Sequence, residues 1–115
     1  MADIESTSRA LVEALNARDF AALAGKVHED VVLSGIGEGG DNGREALRDR
    51  LARHFEAFDE SYGDALAMSD ASGNTIAIRV TARGRSAGSG YSREKILLVE
   101  LEDGVITRFA IFTGS

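Results

Sequence analysis

Few side chains in this sequence are equipped for chemistry, and their types narrow the choice at once. The 115 residues contain no cysteine and only two histidines. That excludes a thiolate metal site, an iron–sulfur cluster, a disulfide and a cysteine nucleophile, and no motif implies a metal or an organic cofactor. Lys95 and Arg93 form the most informative pair. Lys95 precedes the apolar run Ile96-Leu97-Leu98-Val99. The turn Glu102-Asp103-Gly104, taken as a type I turn with Gly104 as a left-handed bulge, places Leu101 opposite Val105 and Leu97 opposite Phe109. Lys95 then faces Ile111. An ammonium group among apolar neighbours attracts an anionic ligand or, on losing its proton, serves as a base. The assignment depends on register, because a slip of one residue turns Glu94 inward instead.

Other candidates are set by type. His28, placed at the end of a short second helix, titrates near neutrality and qualifies as a general base. Tyr91 can donate to a ligand oxygen beside Arg93. His54 flanks an apolar helical stripe and reads as a boundary residue. Tyr62, like Tyr91, either donates to a ligand oxygen or packs at an edge with its hydroxyl in water. Glu29-Asp30 and Asp59-Glu60 are adjacent carboxylates; sequence neighbours rarely aim at one point, so both pairs read as caps and turns. Gly35-Ile-Gly-Glu-Gly-Gly40 matches G-x-G-x-x-G, with Asp59 about 20 residues on. The dinucleotide reading fails, because Asp41-Asn42-Gly43 separate the third glycine from the helix it would have to open.

The elements that must hold these residues follow from periodicity. Ile4, Leu11 and Leu15 predict a helix over 4–17, and Asp19 caps a short one from Phe20 to Gly25. Val31 to Ser34 is a short β-branched strand. Residues 35–43 contain five glycines and form a flexible loop. Leu47, Leu51, Phe55 and Phe58 mark a third helix from Arg44 to Phe58, whose arginines cover its solvated face. From Tyr62 the period becomes two. Strands run from Tyr62 to Ser69, Thr75 to Arg85, Ser92 to Leu101 and Val105 to Thr113. Helices first and a meander of strands after them define an α+β fold in one domain over residues 1–115. Ile96 and Leu98 point away from Leu97 and Val99, so both sheet faces are partly apolar, and a second copy is the simplest cover for the outer one.

Composition removes further classes. The net charge is −6 and the isoelectric point about 4.8, a field that repels nucleic acid and acidic membranes. The acidic N-terminus lacks a signal-peptide pattern, and no apolar run reaches membrane-spanning length. A soluble, cytoplasmic protein is expected.

The segments ALNARDFAALAGKVHEDVVL, GREALRDRLARHF, GNTIAIRVTARG and YSREKILLVELEDGVITRFAIF resemble the SnoaL-like branch of the NTF2-like, ketosteroid-isomerase-like superfamily. The resemblance implies a cone in which three N-terminal helices pack in a strongly curved, mostly antiparallel sheet. It implies an apolar pocket lined by Phe20, Leu23, Val27, Leu33, Leu51, Phe55, Ile78, Val80, Leu97, Phe109 and Ile111. It also implies a homodimer through the outer sheet face and a ligand that is a small hydrophobic or weakly anionic molecule. Catalytic roles would fall to Lys95 and His28, helped by Arg93 or Tyr91. Leu11, Gly35 and Leu97 stand where ketosteroid isomerases carry their polar groups, which argues against that reaction. Isomerisation, cyclisation or dehydration by proton transfer, non-catalytic ligand binding, and protein interaction through a collapsed pocket all remain open at this point.

Overall fold

The computed structural model describes residues 4–37 and 40–114. The first helix, α1, spans Ile4–Asn16 and buries Leu11, Val12 and Leu15 on one stripe. It closes with Asp19 N–H donating to Ala14 O and Arg18 N–H to Leu15 O, a Schellman pattern. The left-handed position of that cap, usually glycine, is held by Arg18 at φ 59°. Asp19 then accepts from Ala22 N–H and caps α2, Phe20–Ala24.

The remaining elements are β1 Val27–Ser34, α3 Arg44–Ala57, β2 Asp59–Ser69, β3 Thr75–Ser86, β4 Ser89–Glu102 and β5 Val105–Thr113. They form one five-stranded sheet in the order β1-β5-β4-β3-β2. Only the β1–β5 pair is parallel; the other pairs are the expected antiparallel meander. The inner face and the helices share one hydrophobic core, from Leu11 and Leu15 through Leu47 and Leu51 to Ile78, Leu97 and Phe109.

Three sequence expectations are corrected. First, β1 begins at Val27, so His28 lies in an edge strand rather than at a helix end. Second, β2 begins at Asp59 rather than Tyr62, because α3 passes into it with only Phe58 between them. Third, the β4–β5 register differs by two residues. The hairpin is a two-residue turn, Asp103 and Gly104 at φ 52° and 80°, pairing Glu102 with Val105. Thr107 is then the extra residue at the shift between the Glu100–Arg108 and Leu101–Ile106 pairs. Leu97 meets Ile111 and Lys95 meets Thr113. A shift of two preserves facing, so Lys95 still points inward.

The loop after β1 is also more fixed than its glycine content suggests. Ile36 is buried, and Arg50, itself buried in α3, donates to Ile36 O at 2.7 Å and Asp41 O at 2.8 Å. The expectation for Glu38 and Gly39 lies outside the described residues. Arg50 therefore does not belong to the solvated helix face on which the sequence places it. On the outer sheet face, Leu66, Arg79, Ile96 and Phe112 form one cross-strand row, and Met68, Ala77, Leu98 and Ala110 form another.

Gly35 adopts φ 69°, and a Cβ there would collide with the carbonyl of Ile111. Gly35→Ala is expected to cost at least about 2 kcal/mol, from the left-handed backbone plus the clash, read as a lowered urea midpoint at unchanged slope.

Candidate functional site

The passage from α3 into β2 brings together two residues six apart. Phe58 N–H donates to His54 O, ending α3, and Phe58 is already extended. The strand alternation starting at Asp59 then turns Glu60 and Tyr62 into the protein and leaves Asp59 and Ser61 outside. Glu60 is only 2% exposed. In the sheet, Glu60 is paired with Gly84, and Gly84 with Tyr91. A Cβ at Gly84 would lie 2.6 Å from Glu60 Cβ. The missing side chain is what lets Tyr91 reach the carboxylate across β3.

Glu60 is a hub. Its Oε1 meets His54 Nε2 at 2.8 Å and accepts from Tyr62 Oη–H at 2.9 Å and Lys95 Nζ at 2.8 Å. Its Oε2 accepts from the hydroxyl of Tyr91. A buried charge persists only when it is paired and hydrogen-bonded, and here both conditions are met. Burial works to raise the Glu60 pKa, but the bonds from His54, Lys95 and Tyr91 and the Lys95 charge outweigh it. The carboxyl is held well below the ordinary range. Burial, and then the Glu60 charge and hydrogen bond, push the Tyr62 hydroxyl far up. Burial followed by the Glu60 bond and charge does the same to Tyr91.

The backbone of this strand is clamped from α1. Asn16 exchanges two bonds with the Tyr62 backbone, at 3.0 and 2.8 Å. Arg18 donates to Glu60 O at 2.6 Å and to Leu15 O at 2.9 Å, and its guanidinium lies 3.8 Å over the Phe55 ring. Its ion-pair partner is Asp59 at 3.5 Å.

Of the residues singled out in the sequence as ligand or catalytic candidates, Lys95, Tyr91 and Tyr62 belong to this cluster. Arg93 is exposed and sits 5.2 Å over the Tyr91 ring, bordering the cluster without entering it. His28 is not brought to the site: it is exposed on β1, where its Nδ1 accepts from Asp30 N–H. The eleven side chains expected around a pocket are core. Leu23, Leu51, Ile78, Leu97 and Phe109 are fully buried, and Val27, Leu33, Phe55, Val80 and Ile111 lie in the same cluster, with Phe20 packed against it. Open space lies beside them instead. A cleft of about 250 Å³ is lined by Gly37, Arg53, His54, Ala57 and Phe58. His54 thus borders the cleft and bonds Glu60 at once.

Glu60 and His54 are the members that sequence reasoning missed. Starting the period-two pattern three residues earlier, at Asp59, would have put Glu60 in phase with Tyr62. Among the described residues, no three His, Asp or Glu side chains converge to hold a metal ion. No described helix is long and apolar enough to cross a membrane.

Comparison with known proteins agrees with this architecture. The SnoaL-like domain family matches residues 8–109. A SnoaL-like polyketide cyclase from Agrobacterium tumefaciens superposes with a TM-score of 0.82 at 18% identity, over 100% of this chain and 94% of that one. A protein of unknown function with a cystatin-like fold, from Xanthomonas campestris, gives 0.83 at 20% identity, covering 99% and 92%. Bal32a, from a soil-derived mobile gene cassette, gives 0.81 at 16% identity, covering 95% and 87%. These likenesses establish the fold. No curated protein matches the chain in sequence at a significant level.

The depressed Glu60 pKa has a signed consequence. A carboxyl lowered on folding stabilises the protein above its unfolded pKa, near 4.5, and that contribution fades as pH falls below it. Stability measured by urea unfolding should drop between pH 5 and 3, on the order of the carboxylate range, and the drop should shrink in Glu60→Gln. At pH 7 the same variant strands Lys95 and should cost about 3–5 kcal/mol.

Proposed function

The chain belongs to the SnoaL-like family, and we propose that it binds a small, mostly apolar organic molecule in the His54 cleft and moves a proton on it. The observation that carries this reading is the His54–Glu60 pair. One imidazole borders open space and is backed by a buried, ionised carboxylate. With Nε2 committed to Glu60, Nδ1 is the ring nitrogen left for a ligand. Glu60 holds the ring's tautomer and stabilises the imidazolium that forms when His54 accepts a proton. Lys95, Tyr62 and Tyr91 keep Glu60 ionised and fixed, so they act as positioning residues.

The chemistry this supports is abstraction of a proton from carbon beside a carbonyl. The C–H electron pair moves into the carbonyl to give an enolate, and the proton resides on His54 until it is returned to the same or another atom. Cyclisation, isomerisation and dehydration share this step. The Agrobacterium relative's description as a polyketide cyclase is compatible with it. A non-catalytic module is the second reading, favoured by the filled core where an apolar pocket was expected.

The two separate in heavy water. A panel of small cyclic ketones and β-keto esters is incubated with the protein, and exchange of the proton beside the carbonyl is followed by NMR. Catalysed exchange that falls about 10²–10⁴-fold in His54→Gln, with ligand affinity retained, is the expected result. Binding without catalysed exchange would leave the non-catalytic module standing.

The proposal extends to a homodimer through the outer sheet face. Leu66, Met68 and Phe112 are each about half exposed there, in cross-strand rows with Ile96 and Leu98. Arg79 interrupts one row, and the exposed apolar side chains around it are of the kind a two-fold interface covers. Native mass spectrometry should find a dimer, and Phe112→Glu should shift it to monomer with unchanged tyrosine absorbance.

A further inference from the structure

The charge balance around the cleft adds a statement about the ligand, and it rests on the cleft being the ligand site. The cluster behind His54 is internally neutral, since buried Glu60 is matched by buried Lys95 at 2.8 Å. Arg18 is matched by Asp59, Arg83 by Asp64 and Arg108 by Glu100, at 3.5, 3.0 and 3.2 Å. Arg48 reaches Glu45 at 4.0 Å. Arg53, which lines the cleft beside His54, pairs with no carboxylate among the described residues, although Asp49 and Glu56 lie one helical turn to either side. Arg93 is likewise unpaired. It lies over Tyr91, whose ring packs edge-on against Phe58 at 6.3 Å, and Phe58 is a cleft residue. In a chain of net charge −6, the wall of this cleft carries one guanidinium, that of Arg53, without a carboxylate partner among the described residues.

We propose that the ligand carries a carboxylate and that Arg53 holds it, with Phe58 and Ala57 receiving an apolar body. A guanidinium presents a planar fork of donors that matches a carboxylate in two parallel bonds, which an ammonium cannot reproduce. The cleft, at about 250 Å³, is smaller than the usual drug-sized site, which sets the body near a single ring. Arg53 is thus a specificity residue, distinct from the His54–Glu60 pair that would move the proton.

Benzoate and its neutral isostere benzamide are the probes, titrated at low salt while the His54 ring and Arg53 side-chain resonances are followed by NMR. The expected result is that both shift His54, that benzoate binds roughly tenfold tighter than benzamide, and that Arg53→Met removes this preference. Arg53→Lys should restore only part of it. Equal affinities for the two probes, unchanged in Arg53→Met, would overturn the carboxylate assignment and leave the cleft intact as a ligand site. Failure of both probes to move the His54 resonances at millimolar concentration would overturn the assignment together with the cleft reading. Arg53 is exposed, so its variants should fold, and an unaltered tyrosine absorbance spectrum verifies this because both tyrosines of the chain bond to Glu60.

Discussion

A buried carboxylate must be surrounded by donors or it will take up a proton, and much of this fold can be read as meeting that demand for Glu60. The donors come from three places in the chain: His54 from the last turn of α3, Tyr62 from the same strand, and Lys95 and Tyr91 from β4. Each source constrains its element. The α3–β2 junction is a single residue, so the helix end and the strand start stay in register. Gly84 leaves its row empty, so a carboxylate on one flanking strand and a phenol on the other can meet over it. Asn16 and Arg18 fix the strand backbone from the far side. Desolvating this many polar groups is costly, and only a complete network offsets the cost.

The network reaches the surface at two members, Tyr91 and His54, and of these His54 borders the cleft. Tyr62 and Lys95 are buried, whereas His54 keeps about 15% of its side chain exposed and forms part of the cleft wall. Any change at the imidazole is felt by a carboxylate that three other donors hold still. Such a carboxylate reorganises little when charge appears beside it, which is the physical basis of preorganised electrostatic assistance. The apolar residues that might have enclosed a deep pocket instead supply the packed scaffold that keeps these donors in place.

Most of the architecture was legible because it rests on periodicity. The three helices and the strand meander follow from spacing, and the α+β fold with a mostly antiparallel sheet that the family resemblance implies is the one found. Lys95 was placed inward from a hairpin register that was two residues out. The error did no harm because side chains repeat every second residue. Glu60 was not legible for the opposite reason. It stands at an element boundary, where pattern is weakest, and beside Asp59, whose exposure disguises it as half of a turn. His54 looked like a boundary residue because the partner that gives it meaning lies beyond the end of its own helix. The filled core could not be read either, since apolar residues facing inward look the same in sequence whether they surround a void or one another.

Arg18 shows where local comfort was given up. Its backbone stands in the left-handed region that glycine occupies freely and that other residues enter at a penalty of roughly 1 kcal/mol. A glycine there would relax the helix end, yet it would remove the guanidinium that spans the Leu15 and Glu60 carbonyls and covers the Phe55 ring. The position therefore sets two kinds of fitness against each other. A search for thermostable variants guided by backbone preference alone would select the substitution that loosens the strand carrying Glu60. In a directed-evolution campaign, that position would separate what backbone preference favours from what the folded protein keeps.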